Sequence, residues 1–371
     1  MQVARIIEVM GTIAPLHHAA EWDNVGLLVG SPEWEAGTLL LTIDLTGAVL
    51  REAVDCGAGM IVSYHPAIFE PLPRLTDADP KQQIVLESAR RGIAIYSPHT
   101  ALDAAQGGIN DWIAEGLGDG DIRALEPAPT LPVSEQCKLV TFCPADAVDR
   151  LRSALATVGA GRIGDYELCS FELTGTGTFL GGATTHPAVG RRGALERVDE
   201  VRLEMVCAEA SLALAVTTLS EFHPYEEPPI EIYRLQPRPA RQVGAGRRIV
   251  LDHRQPLAVI IERIKRRLGV HGVRVAVGGT TRRYRTIGVC AGAGSALRAA
   301  ATAQDCELFL TGEMRHHDVL AAQAAGCTVV LAGHTNTERG YLKVLRKRLQ
   351  RSLTELQITV SRKDADPLHA M

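Results

Sequence analysis

Short, continuous apolar runs alternating with helix-like segments constrain this chain more than any other feature. TLLLTID (38–44), GMIVSY (59–64) and IAIYS (93–97) are such runs near the start. RTIGVC (285–290), LFLTG (308–312), TVVLAG (328–333) and LQITV (356–360) follow near the end. Helix-like stretches such as GAVLREAVDCG and the segment around Lys81 to Arg91 lie between them. Strands apolar at nearly every position must be buried on both faces, so the pattern predicts an α/β fold with a largely parallel sheet covered by helices.

Two Pro- and Gly-rich stretches, LEPAPTLPV (125–133) and LQPRPARQVGAG (235–246), interrupt that rhythm. Neither suits a helix or a central strand, and they are expected to be linkers. The segment between them reads as KLVTF, helical AVDRLRSALATVG and ELCSFEL, then EVRLEMVC, helical ASLALAVTTLSEF and IEIYRL. That β-α-β, β-α-β order is that of a ferredoxin-like sandwich. The expected organisation is a discontinuous three-layer α/β domain from 1–133 and 237–371, with 134–236 inserted as an α+β domain.

At 371 residues, 46% hydrophobic and 22% charged, the chain has ample core for two or three domains. A net charge of −4 gives no global reason to expect nucleic acid or a membrane. No apolar run approaches the ~18 residues of a bilayer span. MQVARIIEVMGTIAPL spaces Val3, Ile6, Ile7, Met10 and Ile13 along one helical face, which is an amphipathic helix rather than a signal peptide. The eight cysteines are scattered without a CxxC pair, so reduced thiols and a cytoplasmic location are expected.

In open α/β sheets, ligands collect beyond the carboxyl ends of strands. GMIVSY runs into His65, IAIYSP into His99 and Asp103, LFLTG into Glu313, His316 and His317, and VVLAG into His334 with Glu338 four residues on. One such residue alone is ordinarily a helix cap or loop lining. Four strand ends carrying imidazole and carboxylate favour divalent ions of the Zn, Mn or Fe type, and a carboxylate can bridge two of them. His65, Asp103, His334 and Glu338 are the ligands this reading selects, with His334 and Glu338 on one face of an opening helix.

Two further features admit ligands but read better as structure. CAGAGSAL (290–297) is a glycine-rich turn able to cradle phosphate, yet Leu297 stands where a dinucleotide fingerprint has its third glycine. A nicotinamide site is therefore a distant alternative. Residues 236–285 hold thirteen Lys or Arg against Asp252 and Glu262, an excess that could attract an anion. No aromatic cluster accompanies it, so a solvated basic surface is the simpler reading.

WDNVGLLVG (22–30), IVSYHPAIF (61–69), SPHTALDAAQGGIN (97–110), LTGEMRHHDVLAA (310–322) and AGHTNTERGYL (332–342) resemble, in this order, the Ngg-interacting-factor-three-like family, also called GTP cyclohydrolase I type 2 homologues. The middle segment, with GDYELCSFELTGTGTF (164–179) and FHPYEEPPIEIY (222–233), resembles the PII- or CutA-like insert of longer members. The resemblance implies a ring-shaped homohexamer with a dinuclear metal centre in each subunit. Carried over by position, its ligands fall on Tyr64, His65, Asp103, His334 and Glu338, with tyrosine at 64 where the commonest form has histidine. His99 and His317 match positions near that site, and Glu313 or His99 could move protons.

Two functions follow. One is a metal-dependent hydrolase acting on an anionic, nucleotide-like small molecule, as the family's suggested GTP ring-opening activity implies. The other is a non-catalytic metal-binding scaffold or metal-delivery protein.

Overall fold

The computed structural model describes residues 1–280 and 283–368. They form two compact units, one from 1–128 with 240–371 and one from 129–239.

The larger unit holds two sheets, not the single one expected. The first has five strands in the order Gly26–Val29, Ala94–Ser97, Ala58–Ser63, Thr38–Thr42, Gln357–Val360. All its pairings are parallel except the edge pair of Gly26–Val29 with Ala94–Ser97. The second has six strands, Arg274–Ala276, Thr328–Leu331, Leu308–Glu313, Arg283–Ala293, Arg238–Pro256 and Gly120–Thr130. Its centre is parallel, but Arg274–Ala276 pairs antiparallel with Thr328–Leu331 and Arg238–Pro256 antiparallel with Arg283–Ala293. Apolar runs report burial on both faces and are silent on which runs pair, so sequence could not divide the strands between sheets.

Side-chain alternation on each strand builds three cores. Leu39 and Leu41 of the first sheet join Ile287, Val289, Leu308, Leu310 and Val330 of the second in one shared core. Helices Val3–Ile13, Ile109–Glu115, Leu257–Leu268 and Leu342–Ser352 contribute to it, the first through Val3, Ile6, Val9, Met10 and Ile13. Leu40, Ile61 and Ile95 point the other way, against helices Gly47–Asp55 and Pro80–Arg90. Phe309 and Val329 do the same against Ala301 and Ala322. Local signals start these helices: Asp79 accepts from Lys81 N–H at 2.9 Å and Pro80 follows at the first helical position.

The Pro-rich segments are not irregular linkers. Residues 125–130 end the strand Gly120–Thr130, and 238–246 begin Arg238–Pro256. The first is an edge strand, where the missing N–H groups of Pro127 and Pro129 are tolerated.

The smaller unit is a four-stranded antiparallel sheet in the order Phe171–Leu180, Leu195–Cys207, Cys137–Cys143, Ile230–Arg234. Helices Val148–Thr157 and Leu212–Phe222 supply Leu151, Leu155, Ala215 and Leu219 to its core with Leu139, Leu203 and Met205. In chain order this is β-α-β-β-α-β.

All eight cysteines are free thiols, and six are buried, whereas Cys56 is exposed and Cys169 half-buried. Among the described residues no helix is long and apolar enough to cross a membrane. Much of the basic stretch is exposed, as a solvated surface would be, and part of it is paired with acids. Arg247, Arg241, Arg254 and Arg267 pair with Asp111, Asp121, Glu307 and Glu115, while Arg282 lies outside the described residues.

Candidate metal centre

Parallel strands of both sheets of the larger unit deliver their carboxyl ends to one place. From the first sheet come Asp44 after Thr38–Thr42, Tyr64 and His65 after Ala58–Ser63, and His99 with Asp103 after Ala94–Ser97. From the second come Gly292 of Arg283–Ala293, Glu313 of Leu308–Glu313, and His334 after Thr328–Leu331. Hydrogen bonds set these ends. Ser63 Oγ donates to His65 O at 2.7 Å and Ser97 Oγ to Tyr64 O at 2.7 Å. Asn110 ties the two sheets, donating to Asp103 O at 3.1 Å and accepting from Ala291 N–H at 2.8 Å.

His65, His334 and Glu338 meet there, with one ligand atom from each within 4.8 Å of the others. Glu338 is 1% exposed and turns one oxygen to each ring: Oε2 lies 3.5 Å from His65 Nε2 and Oε1 lies 3.4 Å from His334 Nε2. His334 sits in the turn before the four-residue helix Asn336–Arg339, not on a longer helix, yet still faces Glu338. Thr337 holds that turn, donating to His334 O at 2.6 Å and accepting from Gly292 N–H at 2.8 Å.

Each imidazole is oriented from behind by a carboxylate. Asp44 Oδ1 lies 2.8 Å from His65 Nδ1, and Glu313 Oε1 lies 3.0 Å from His334 Nδ1. Carboxylates there favour the Nδ1–H tautomer and leave Nε2 free to accept a cation, the support usual for metal-binding histidines. Asp44 is itself held, because Asp364 accepts from Ile43 N–H at 2.8 Å and from Asp44 N–H at 3.4 Å while pairing with Arg339. In the metal-free arrangement burial alone lowers the His65 pKa, but Asp44 and Glu338 outweigh it and carry it up to about 10.

The residues present fit a divalent cation. Glu338 Oε2 is buried and makes no hydrogen bond, an arrangement that costs free energy unless a positive ligand completes it. Nε2–O gaps of 3.4 and 3.5 Å are too long for hydrogen bonds of good geometry. They suit atoms that each stand about 2.0–2.2 Å from a common ion. Two histidines and a glutamate form the donor set of catalytic sites with an open coordination position. Gly292, with φ +60°, closes the back of the cluster: a β-carbon there would stand 2.7 Å from Glu338 Oε1. The glycine-rich turn thus gives the cluster room.

Tyr64 and Asp103 form a neighbouring pair, in which Tyr64 Oη donates to Asp103 Oδ1 at 2.7 Å. Burial, then the charges of Asp103 and Glu338, push the phenol far above its usual range, so it is a hydrogen-bond donor in the metal-free protein. Burial also raises Asp103, to about 6, against the opposing Tyr64 bond. His99, whose φ is +25°, places its ring 5.5 Å from that of His65, and its Nδ1 is 2.7 Å from Asp23 Oδ1. His317 is exposed on the helix His316–Ala324, its ring beside His316, and is not brought to the cluster.

Sequence reasoning missed Asp44 and Asp23. Asp44 occupies a strand end like the residues it selected, and Asp23 lies within the WDNVGLLVG motif. Asp44 lines a cavity of about 520 Å³ with His65, Phe69, Lys81, His99 and His334, and the buried side chain of Asp23 holds His99 from behind.

Residues 1–367 match the family described as Duf34/NIF3 (NGG1p interacting factor 3). NIF3-like protein 1 of Bos taurus is 36% identical over 380 residues, covering 100% of this chain and 93% of that protein. A protein named GTP cyclohydrolase 1 type 2 homolog, from Halalkalibacterium halodurans, is 32% identical, covering 98% of this chain and 97% of its own. Among solved structures, a Bacillus cereus protein related to NIF3 superposes with a TM-score of 0.68 at 31% identity, covering 100% of this chain and 99% of its own. A Staphylococcus aureus protein does so with 0.80 at 25%, over 100% and 99%.

Proposed function

The chain belongs to the Duf34/NIF3 family, and from that premise we propose that it is a metal-dependent hydrolase of a phosphate-bearing, nucleotide-like small molecule. The observation that carries the reading is the buried Glu338 carboxylate, its Oε2 unbonded, turned toward two carboxylate-oriented imidazoles that line an open cavity. A structural metal site is ordinarily closed by four Cys or His ligands, whereas this donor set leaves positions for water and substrate. Several relatives are named GTP cyclohydrolase 1 type 2 homolog, which is the support for a nucleotide-like substrate.

In this reading His65, His334 and Glu338 would hold the first of two divalent ions of the Zn, Fe or Mn type. Asp103, with Tyr64 at its side, would offer a second position next to the same carboxylate. A divalent ion bound here supplies Lewis acidity and a strong nucleophile near neutral pH. The chain's own residues do the rest. Asp44 and Glu313 hold the imidazoles in register. Asp23 fixes His99 Nδ1, so that Nε2 is the nitrogen that exchanges a proton with the substrate. Lys81, on the cavity wall, attracts the phosphate; the arginines of 236–285 that pair with acids are already committed elsewhere. The same reading makes the protein a cytoplasmic homohexamer with the 134–236 segment as a PII/CutA-like insert.

The test is turnover of nucleotides and phosphoesters by chelated and metal-restored protein. Hydrolysis that requires added divalent metal and falls in His99→Ala supports the reading. A fully metallated protein that hydrolyses nothing, yet passes its metal to an acceptor protein, would make it a metal-delivery scaffold.

A further inference from the structure

Trp22 is 65% exposed and Phe69 is 48% exposed, with ring centroids 6.0 Å apart at the rim of the metal cavity. Phe69 and His99 both line that cavity, and Trp22 stands edge-on to His99 at 6.1 Å. The segment carrying Trp22 is rigidly fastened on both sides. Ala20 N–H donates to Thr100 Oγ1 at 3.0 Å, Asp23 accepts from Thr100 N–H at 3.1 Å, and Asn24 Nδ2 donates to Ile68 O at 2.6 Å. Asp23 and Asn24 thus turn inward and bond, while the indole of Trp22 just before them is left facing solvent.

Holding a loop this firmly while leaving its largest apolar side chain in water brings no folding benefit. It is the arrangement of a preorganised contact surface, which binds without the cost of ordering a loop. Aromatic faces at such a rim accept flat π-systems by stacking. The occupant is further restricted by what lies beside it: a cationic Lys81 and the imidazole-carboxylate cluster share the cavity, so the ligand joins a flat ring to an anionic group.

We propose that Trp22, with Phe69, is the platform on which the planar heteroaromatic ring of a phosphate-bearing ligand stacks, setting that ring beside His99 and its phosphate toward Lys81. The proposal deepens the hydrolase reading by naming the feature of the substrate that the site selects.

Calorimetric titration of the metal-loaded full chain with guanosine monophosphate, and with ribose phosphate as the ringless control, tests it. The expected result is a preference of about 10-fold or more for the nucleotide, lost in Trp22→Ala and largely kept in Trp22→Phe. Equal affinity for the two probes, no binding of the nucleotide, or a Trp22→Ala variant that keeps the preference overturns the proposal. So does a Trp22→Ala chain that keeps its ring preference but changes oligomeric state in light scattering, because the rim then packs against a second copy. Ring preference without any hydrolysis sinks the hydrolase reading and leaves this one standing. Hydrolysis without ring preference does the reverse.

Discussion

Gly292 lies so close to Glu338 that a β-carbon built on it would stand 2.7 Å from Oε1 and 3.1 Å from His334 Nε2. The glycine has two reasons to be there, its φ of +60° and the space the ligand atoms occupy. Gly292→Ala is therefore expected to lower metal affinity by about 10-fold or more, because the methyl group displaces ligand atoms, while the strained φ costs about 1 kcal/mol of stability. Metal titration beside thermal unfolding separates the two effects. A variant that binds metal as the wild type does would show that the glycine serves only the turn.

Asp44 and Glu313 touch the imidazole nitrogens on the side away from Glu338. Asp44→Asn and Glu313→Gln keep the shape but weaken the acceptor, so each is expected to lose 10- to 100-fold in metal affinity with the fold retained. Chelator competition measures this. Should both variants compete as well as the wild type, the outer carboxylates do not orient the ligands.

Metal and proton compete for His65. With the folded pKa raised from 6.5 to about 10, the imidazole of the metal-free protein carries a proton at neutral pH that a cation must displace. Calorimetry at about pH 7.5, in two buffers of different ionisation enthalpy, should report release of roughly one proton per chain as the ion at His65 binds. The raised pKa also means that protonated His65 stabilises the metal-free fold fully below 6.5, and that this contribution is lost as pH rises through 10. Thermal stability of the metal-free protein should fall over that window and that of the loaded protein should fall less. Binding that releases no proton would place His65 outside the first ligand set.

Arg247 is fully buried, ion-pairs with Asp111, and donates to the carbonyls of Ala104 and Ala105 at 3.1 and 2.9 Å, immediately after Asp103. Asp111→Ala leaves that guanidinium charge uncompensated in the core and is expected to cost about 3–5 kcal/mol in urea unfolding. Arg247→Met, which removes the charge as well, should cost less. Equal costs would mean that lost packing, not the orphaned charge, dominates.

Much of this could be read from the chain, and the limits have physical causes. His65, His334 and Glu338 were accessible because apolar runs mark the strand ends, beyond which ligands collect in open α/β sheets. Asp23 and Asp44 were not, since an aspartate in a loop or at a strand end is ordinarily a cap, and their partners lie 76 and 21 residues away. The pairing of Tyr64 with Asp103 spans 39 residues and depends on how deeply both are buried, which composition does not report. Gly292 read as part of a tight structural turn, because glycine spacing says that a backbone must come close to something without saying to what. The edge position that lets Gly120–Thr130 carry two prolines is likewise a property of the sheet, not of the segment.

The most direct measurement is elemental analysis of purified wild type, Glu338→Ala and Asp103→Ala after chelation and re-exposure to zinc, manganese and iron, with circular dichroism as the check on folding. Wild type should retain close to two ions per chain, while each variant keeps its fold and loses most of its metal. Folded variants that hold as much metal as the wild type would contradict the assignment of this cluster as the metal centre.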